Sequence, residues 1–344
     1  MQSQKEFGTF AGRKNKPFEV PLRMVRVEIR FASEDSLCAM PWSRYQMRDK
    51  LTSLHSSKNP FPRKLWPEKS YGVRFRLKRM WNFLFPSVPL LVHLPYGGWW
   101  LARNDVCSDA VFTGNFEEGE RHFVERFLRP GMVVLDIGAH NGFYTMLAAR
   151  KVGKSGQVIA FEPSPRERQR LLRHLIMNRL LANVVVCHLA LDRSTGEDTL
   201  FVVEGRDTGC NSLRPPAVGD SVKTMSVQKT SLDSFLSEGM IFKVDFIKID
   251  VEGAELNVLE GATELLGRRP RPVILAELAD SRSSGWGHPA SAVYDLLAER
   301  GYQWFSVDRQ GSLSPLHRTD QYGATSVAFP VERLPEAKNL TADN

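Results

Sequence analysis

Val133-Val134-Leu135-Asp136-Ile137-Gly138-Ala139-His140-Asn141-Gly142 is the stretch that decides the fold. An apolar run suited to a buried strand enters a glycine-containing turn directly, and the helix-compatible run Phe143–Lys151 follows. In a doubly wound sheet, a nucleotide-like ligand lies at such a junction, outside the carboxyl end of the first strand. A second strand, Gln157–Phe161, ends in Glu162-Pro163. An acid about 20 residues beyond the turn can bind both hydroxyls of a ribose.

Two kinds of cofactor suit that geometry, and they differ in charge. A dinucleotide brings an anionic pyrophosphate and needs G-x-G-x-x-G so that bare backbone can approach it. Here the second and third glycine positions are His140 and Phe143, so that fingerprint fails. S-adenosylmethionine (SAM) brings a sulfonium and an ammonium, and so favours an acid at the turn. Asp136, Gly138 and Gly142 give D-x-G-x-x-x-G, and the downstream Glu162 completes the pattern. The plainer alternative is an α/β domain whose glycines only close a turn.

The third informative stretch is Phe246-Ile247-Lys248-Ile249-Asp250-Val251-Glu252-Gly253-Ala254-Glu255. It places three carboxylates at the end of the fourth strand and the start of its helix. Glu255 reads best as a partner of the helix dipole. Asp250 is placed to face the crevice where a methyl acceptor belongs, and Glu277, ending the next strand, is placed to help bind it. A sugar hydroxyl has a pKa near that of water, about 15.7, and needs a positioned base as its proton leaves. Asp250 is the first candidate, with His140 and His188 behind it. No metal site is assigned, because spacing alone does not bring Asp250, Glu252 and Glu277 together.

Outward from these motifs, strands alternate with helices. Further strands are expected at Val184–Leu189, Val273–Glu277 and Trp304–Val307, and helices at Glu118–Leu128, Pro165–Leu180, Ala254–Leu266 and Pro289–Arg300. Ser164-Pro165-Arg166-Glu167 has the residues of a capping box with proline at the first helical position. This order predicts a Rossmann-like, doubly wound, mostly parallel sheet. Glu197–Val227 interrupts it as a β-rich insertion before the fourth strand. Domain boundaries follow at 1–88 (a basic, proline-rich, irregular extension), 89–116 (a hairpin lead-in), 117–333 (the main domain) and 334–344 (a tail).

The composition is that of a globular protein, with 344 residues, 42% hydrophobic and 25% charged. Cys38, Cys107, Cys187 and Cys210 are far apart in sequence, which excludes a disulfide framework and argues for a reducing compartment. The start, MQSQKEFGTF, has no apolar run behind a basic one, so no secretion signal is expected and the cytoplasm is the expected location. Residues 1–90 carry 18 Lys and Arg against 7 Asp and Glu, while the other 254 carry 28 against 32. Such asymmetry fits a polyanionic partner or a solvated leader. Trp81–Ala102 holds no Asp, Glu, Lys or Arg, but Pro86, Pro89, Pro95 and Gly97-Gly98 break it. It reads as a hairpin of Pro89–Pro95 and Trp99–Arg103 rather than a membrane span. The basic, aromatic run 74–81 just before it could touch a membrane surface.

The motifs VLDIGAHNGFYT, VIAFEPSP and FIKIDVEGAELNVLEGA together resemble the FkbM-type methyltransferases, SAM-dependent enzymes of the class I methyltransferase fold. The likeness extends over roughly residues 90–310. It implies a SAM site formed by Asp136, Gly138, Ala139, His140, Asn141, Gly142, Glu162 and Pro163, with Ala190 flanking the adenine. It also implies that Asp250 and Glu252 are the family's acidic pair and act in catalysis. One departure stands: members often follow the acid of the fifth strand with a histidine, whereas Glu277 is followed by Leu278-Ala279-Asp280.

The expected function is therefore O-methylation of a hydroxyl on a sugar, glycan or other small metabolite, with SAM as cofactor and a carboxylate as base. Two alternatives stay open. One is a nucleic-acid methyltransferase anchored by the basic leader, although Asp250-Val251-Glu252-Gly253 replaces the Asn/Asp-Pro-Pro-aromatic run used on base amines. The other is a non-catalytic binding module on the same fold.

Overall fold

The computed structural model describes residues 71–341. The expectations for residues 1–70 and Cys38 lie outside the described residues. Helix α1 (Tyr71–Leu84) leads into the hairpin β1 (Leu90–His93) and β2 (Trp99–Ala102), then α2 (Val106–Thr113) and α3 (Glu118–Phe127). Next come β3 (Val133–Ile137), α4 (Phe143–Val152), β4 (Gln157–Phe161), α5 (Pro165–Asn178) and β5 (Val184–Cys187). The insertion supplies β6 (Ala190–Leu191), β7 (Gly196–Val203) and β8 (Val222–Thr230). After it run α6 (Leu232–Glu238), β9 (Phe246–Ile249), α7 (Glu255–Glu260), α8 (Thr263–Gly267) and β10 (Val273–Ala279). The chain closes with α9 (Asp280–Ser283), α10 (Ser291–Glu299), β11 (Tyr302–Val307), β12 (Leu313–Pro315), β13 (Gly323–Pro330) and α11 (Leu334–Lys338).

The central sheet has the order β12-β11-β13-β10-β9-β3-β4-β5. Strands β5, β4, β3, β9 and β10 are mutually parallel, and β13 enters antiparallel between β10 and β11. From β3 the chain steps first toward β4 and β5, then returns to the other side through β9. The order therefore reverses between β3 and β9, where such sheets open a crevice. This is the doubly wound, mostly parallel sheet expected from the sequence. The β-rich insertion is present too, as a separate sheet of order β6-β8-β7.

Apolar clusters cover both faces. Val134, Phe246, Val273, Leu275 and Phe329 meet α3, α4 and α5 on one face, while Leu135, Ile137, Ile247, Ile249 and Ile274 meet α6, α7, α8 and α10 on the other. This alternation of neighbours along β3, β9 and β10 is the two-residue period of a strand buried on both sides. Ala337 and Leu340 of the C-terminal segment belong to the first cluster.

Four sequence readings are corrected. Residues 71–84, read as irregular, form α1, because the proline-free run between Pro67 and Pro86 can complete its helical hydrogen bonds. The single helix read over Ala254–Leu266 is two, α7 and α8. Gly261 passes so close to the Asp192 carbonyl that an added Cβ would stand 2.4 Å from it, and its own carbonyl accepts the Asp233 N–H. The Ser164 hydroxyl donates to buried Glu167 instead of accepting a backbone N–H, so no reciprocal capping box forms. Strand β13 went unread, since Gly323 and Ala324 at its start are exposed and its buried run, Ser326–Pro330, opens on a serine and ends in a proline.

The hairpin is bound to the main sheet through α5. Trp100 is fully buried and stacks on His174 with centroids 4.1 Å apart. Asn178 accepts the Trp99 N–H at 2.8 Å and donates to the Trp99 carbonyl at 2.8 Å. Phe329 is fully buried against Phe123, Phe127 and Phe305. Phe329→Ala is expected to cost about 3–5 kcal/mol, read as a lower urea midpoint at unchanged slope.

Candidate active site

The crevice at the β3–β9 switch point holds about 590 Å³ of empty space, part of it open to solvent. Its wall includes Gly138 and His140 after β3, Glu162 and Pro163 after β4, Ala190 after β5 and Asp250 after β9. The turn after β3 keeps its shape through close packing. Gly138 has φ +80°, and an added Cβ would lie 1.8 Å from the Asp250 carbonyl oxygen. The N–H groups of Gly138 and Ala139 both donate to the Phe161 carbonyl, at 3.1 and 3.0 Å. His140 adopts φ 48°, uncommon for a side-chain-bearing residue.

Glu162 organises this side. Its Oε2 accepts the His140 N–H and its Oε1 the Ser164 N–H, each at 2.8 Å. Burial, aided by the nearby Glu167 carboxylate, pushes its carboxyl up to about 8. The turn is also held from behind. The Leu101 N–H donates to His174 Nε2 at 3.0 Å, so that nitrogen is unprotonated, and Nδ1–H must donate to the Asn141 carbonyl at 2.8 Å. Burial lowers the His174 imidazole to about 4, keeping it neutral.

The other side is a buried charge cluster. Lys248 stands opposite Asp136 in the β3–β9 register, and its Nζ donates to Asp250 Oδ2 at 2.7 Å and lies 4.8 Å from the Tyr144 ring centre. Burial opposes ionisation of Asp250, but the Lys248 ammonium outweighs it and holds the carboxyl below its usual range. Burial raises Glu117 to about 7 despite the same ammonium. Beyond Asp250, burial and the Asp250 charge raise Glu252 to about 8 and Glu277 to about 7. Glu252 is paired with Arg282 at 2.9 Å, whereas Glu277 Oε2 is buried with no hydrogen-bond partner. Glu255 Oε1 accepts the Val251 and Gly253 N–H groups, which fits the helix-start role read for it.

The structure thus brings Gly138, His140, Glu162, Pro163, Ala190 and Asp250 onto one wall. Asp136 stands behind it. Strand alternation turns its side chain toward α4, where Oδ2 accepts the Thr145 hydroxyl at 2.5 Å, and burial pushes its carboxyl up. Ala139, Asn141 and Gly142 shape the turn without lining the crevice, and Glu252 lies off the wall beside Arg282. Exposed His188 lies off it as well. Lys248 was missed in the sequence, although a lone lysine within Phe246-Ile247-Lys248-Ile249 of a central strand was the available signal. Also missed was the insertion's part in the wall. Leu200, Gly209, Asn211, Ser212 and Leu213 line the crevice, and Thr208 Oγ1 lies 3.2 Å from His140 Nε2.

The raised acids make this region sensitive to pH. The folded Glu277 carboxyl titrates near 7 against an ordinary value of 4.5, so its contribution to stability is present below 4.5 and is lost as pH rises through 7. Glu277→Gln is therefore expected to stabilise the protein by the order of 1 kcal/mol at pH 8 and to leave its stability at pH 4 unchanged. Urea unfolding at the two pH values checks this.

With this geometry in view, a family profile described as the methyltransferase FkbM domain matches residues 136–304. Among curated proteins, the AMB antimetabolite synthetase AmbE of Pseudomonas aeruginosa is 28% identical over 233 residues, covering 58% of this chain and 11% of that protein. The hexuronic acid methyltransferase AglP of Haloferax volcanii is 28% identical over 134 residues, covering 39% of this chain and 51% of that protein. The 31-O-demethyl-FK506 methyltransferase FkbM of Streptomyces tacrolimicus is 29% identical over 187 residues, covering 46% and 69%. The chain spans about a tenth of the first of these proteins and half of the second.

Proposed function

From the premise that residues 136–304 form a methyltransferase domain of the FkbM family, we propose that this chain transfers a methyl group from SAM to a hydroxyl of a sugar, glycan or other small metabolite. The observation that carries the reading is the crevice itself, with Glu162 on one side and the Lys248-held Asp250 on the other. Relatives named for a hexuronic acid and for a 31-O-demethyl substrate support an oxygen acceptor.

The residues present suit the cofactor. Each Glu162 oxygen holds one backbone N–H and keeps lone-pair capacity for a hydroxyl donor, as a ribose requires. Phe161, Leu189, Ala190 and Leu191 give an apolar wall for a flat base. When bound, SAM supplies a methyl group activated by a sulfonium. The chain's own part is alignment, worth several kcal/mol, and management of the acceptor's proton. Asp250, kept ionised by Lys248, accepts the hydroxyl's hydrogen bond and takes its proton as the new bond forms. Glu252, held by Arg282 beside it and with its carboxyl raised to about 8, completes the proposed acidic pair as a group that keeps its proton at neutral pH.

Calorimetric titration tests the cofactor site. SAM is expected to bind the wild type in the micromolar range, and Glu162→Ala to weaken binding at least tenfold, about 1.4 kcal/mol. A folded wild type that does not bind SAM overturns the reading and leaves the non-catalytic module. Asp250→Asn is expected to retain SAM binding while turnover on a hydroxylated acceptor falls by about 10²-fold or more. A second reading, methylation of RNA, draws on the excess of basic residues in 1–90 and on a relative named ribosomal RNA large subunit methyltransferase E, from Buchnera aphidicola, 28% identical over 108 residues that cover 29% of this chain and 49% of that protein. Salt-dependent retention of RNA that disappears on deletion of residues 1–70 would favour it.

A further inference from the structure

Helix α1 turns Arg74 and Lys78 inward and leaves most of its large aliphatic residues outward. Lys78 is buried, with Nζ donating to the Arg103 carbonyl at 2.7 Å and paired with the Asp109 carboxylate of α2. The Arg74 guanidinium lies 5.2 Å from the Phe112 ring centre on the same side. Val73, Leu77, Met80 and Leu84 recur at intervals of four, three and four residues, which places them in one stripe of the helix. They are 58%, 52%, 54% and 57% exposed, and Phe83 beside them is 84% exposed. Phe85, Val88 and Leu91, just downstream, are exposed as well. A soluble helix normally presents such a stripe to its own core, and a stripe left in water marks an interaction site.

Charge identifies the occupant. The helix has no acidic residue, and exposed Arg76 and Arg79 border the stripe. A second copy docked through a two-fold axis would bring these arginines toward their own equivalents. Residues 1–70 carry 14 Lys and Arg against 7 Asp and Glu, so they are a poor electrostatic match for this face. An anionic lipid surface complements both the stripe and its border. At 14 residues the helix is about 21 Å long, short of the roughly 30 Å core of a bilayer. Among the described residues no helix is long and apolar enough to cross a membrane.

We propose that α1 is an interfacial anchor, with Val73, Leu77, Met80 and Leu84 seated at the acyl–headgroup boundary of an anionic membrane and Arg76 and Arg79 on its lipid phosphates. This holds or fails independently of the methyl-transfer reading. The test is flotation of the full chain with vesicles of phosphatidylcholine alone and with phosphatidylserine added, at low and high salt. Two paired variants accompany it, Leu77→Gln with Met80→Gln and Arg76→Gln with Arg79→Gln. The wild type is expected to float with the phosphatidylserine vesicles, and either pair, or high salt, to reduce the bound fraction about tenfold or more. Melting temperatures of both variants are expected to match the wild type, because the residues face solvent. Failure to float with anionic vesicles overturns the proposal. So does flotation that the apolar pair leaves unchanged, which would place attachment elsewhere in the chain. Loss of self-association in that pair, seen by sedimentation velocity without any vesicle effect, assigns the stripe to a second copy. A lowered melting temperature in that pair assigns it to a covering segment of the same chain.

Discussion

A lysine withdrawn from water is stable only where anions surround it, and the active end of this sheet depends on one such lysine. Lys248 lies in the middle of central strand β9, buried, with Asp136 across the register, Asp250 two residues on and Glu117 entering from the start of α3. Each carboxylate offsets part of the desolvation of the ammonium, and the ammonium outweighs the burial that opposes ionisation of Asp250. Removing one member would strand the others as uncompensated buried charge, commonly a loss of about 3–5 kcal/mol. The cluster therefore ties three separate segments of chain to one electrostatic centre.

The turn on the opposite side of the crevice is governed by hydrogen bonds. The hairpin ahead of the main domain reaches it through His174, which receives a backbone N–H from β2 and gives its own N–H to the carbonyl of Asn141. Trp100 packs against that imidazole and excludes water from both bonds. The β1–β2 unit is thus part of the support of the site. Glu162 grips the front of the same turn through the His140 N–H. Between these two attachments His140 is held at a positive φ, a conformation that persists only where the surroundings over-determine it.

Glu162, Glu252 and Glu277 all sit in a protein-dense region that raises their affinity for protons. A fold selected for stability alone would replace such acids or pair each of them. Their clustering at the carboxyl ends of β4, β9 and β10 matches the general tendency of perturbed acids to gather where chemistry is done. The insertion contributes by closing over this region, its loop between β7 and β8 supplying the wall opposite the β-strand ends.

Much of this was legible in the sequence for local reasons. The apolar run into Gly138, the acid closing each of two strands and the alternation of strand and helix periods are short-range signals, and they determined the fold class, the switch point and the candidacy of Glu162 and Asp250. What only the tertiary structure decided involves contacts between distant segments. Asp136 was read as facing the ligand, but its side chain turns toward Thr145, since which face of a buried strand meets which layer is not encoded in the strand alone. Gly261 breaks a helix that its own periodicity supports, because the Asp192 backbone passes beside it. Lys248 became the centre of the site only when β3 and β9 were laid side by side, pairing it with Asp136, 112 residues earlier in the chain. Local physics writes strands, turns and helix ends into neighbouring residues. The meeting of charges across a sheet is set by register, which exists only in the folded chain.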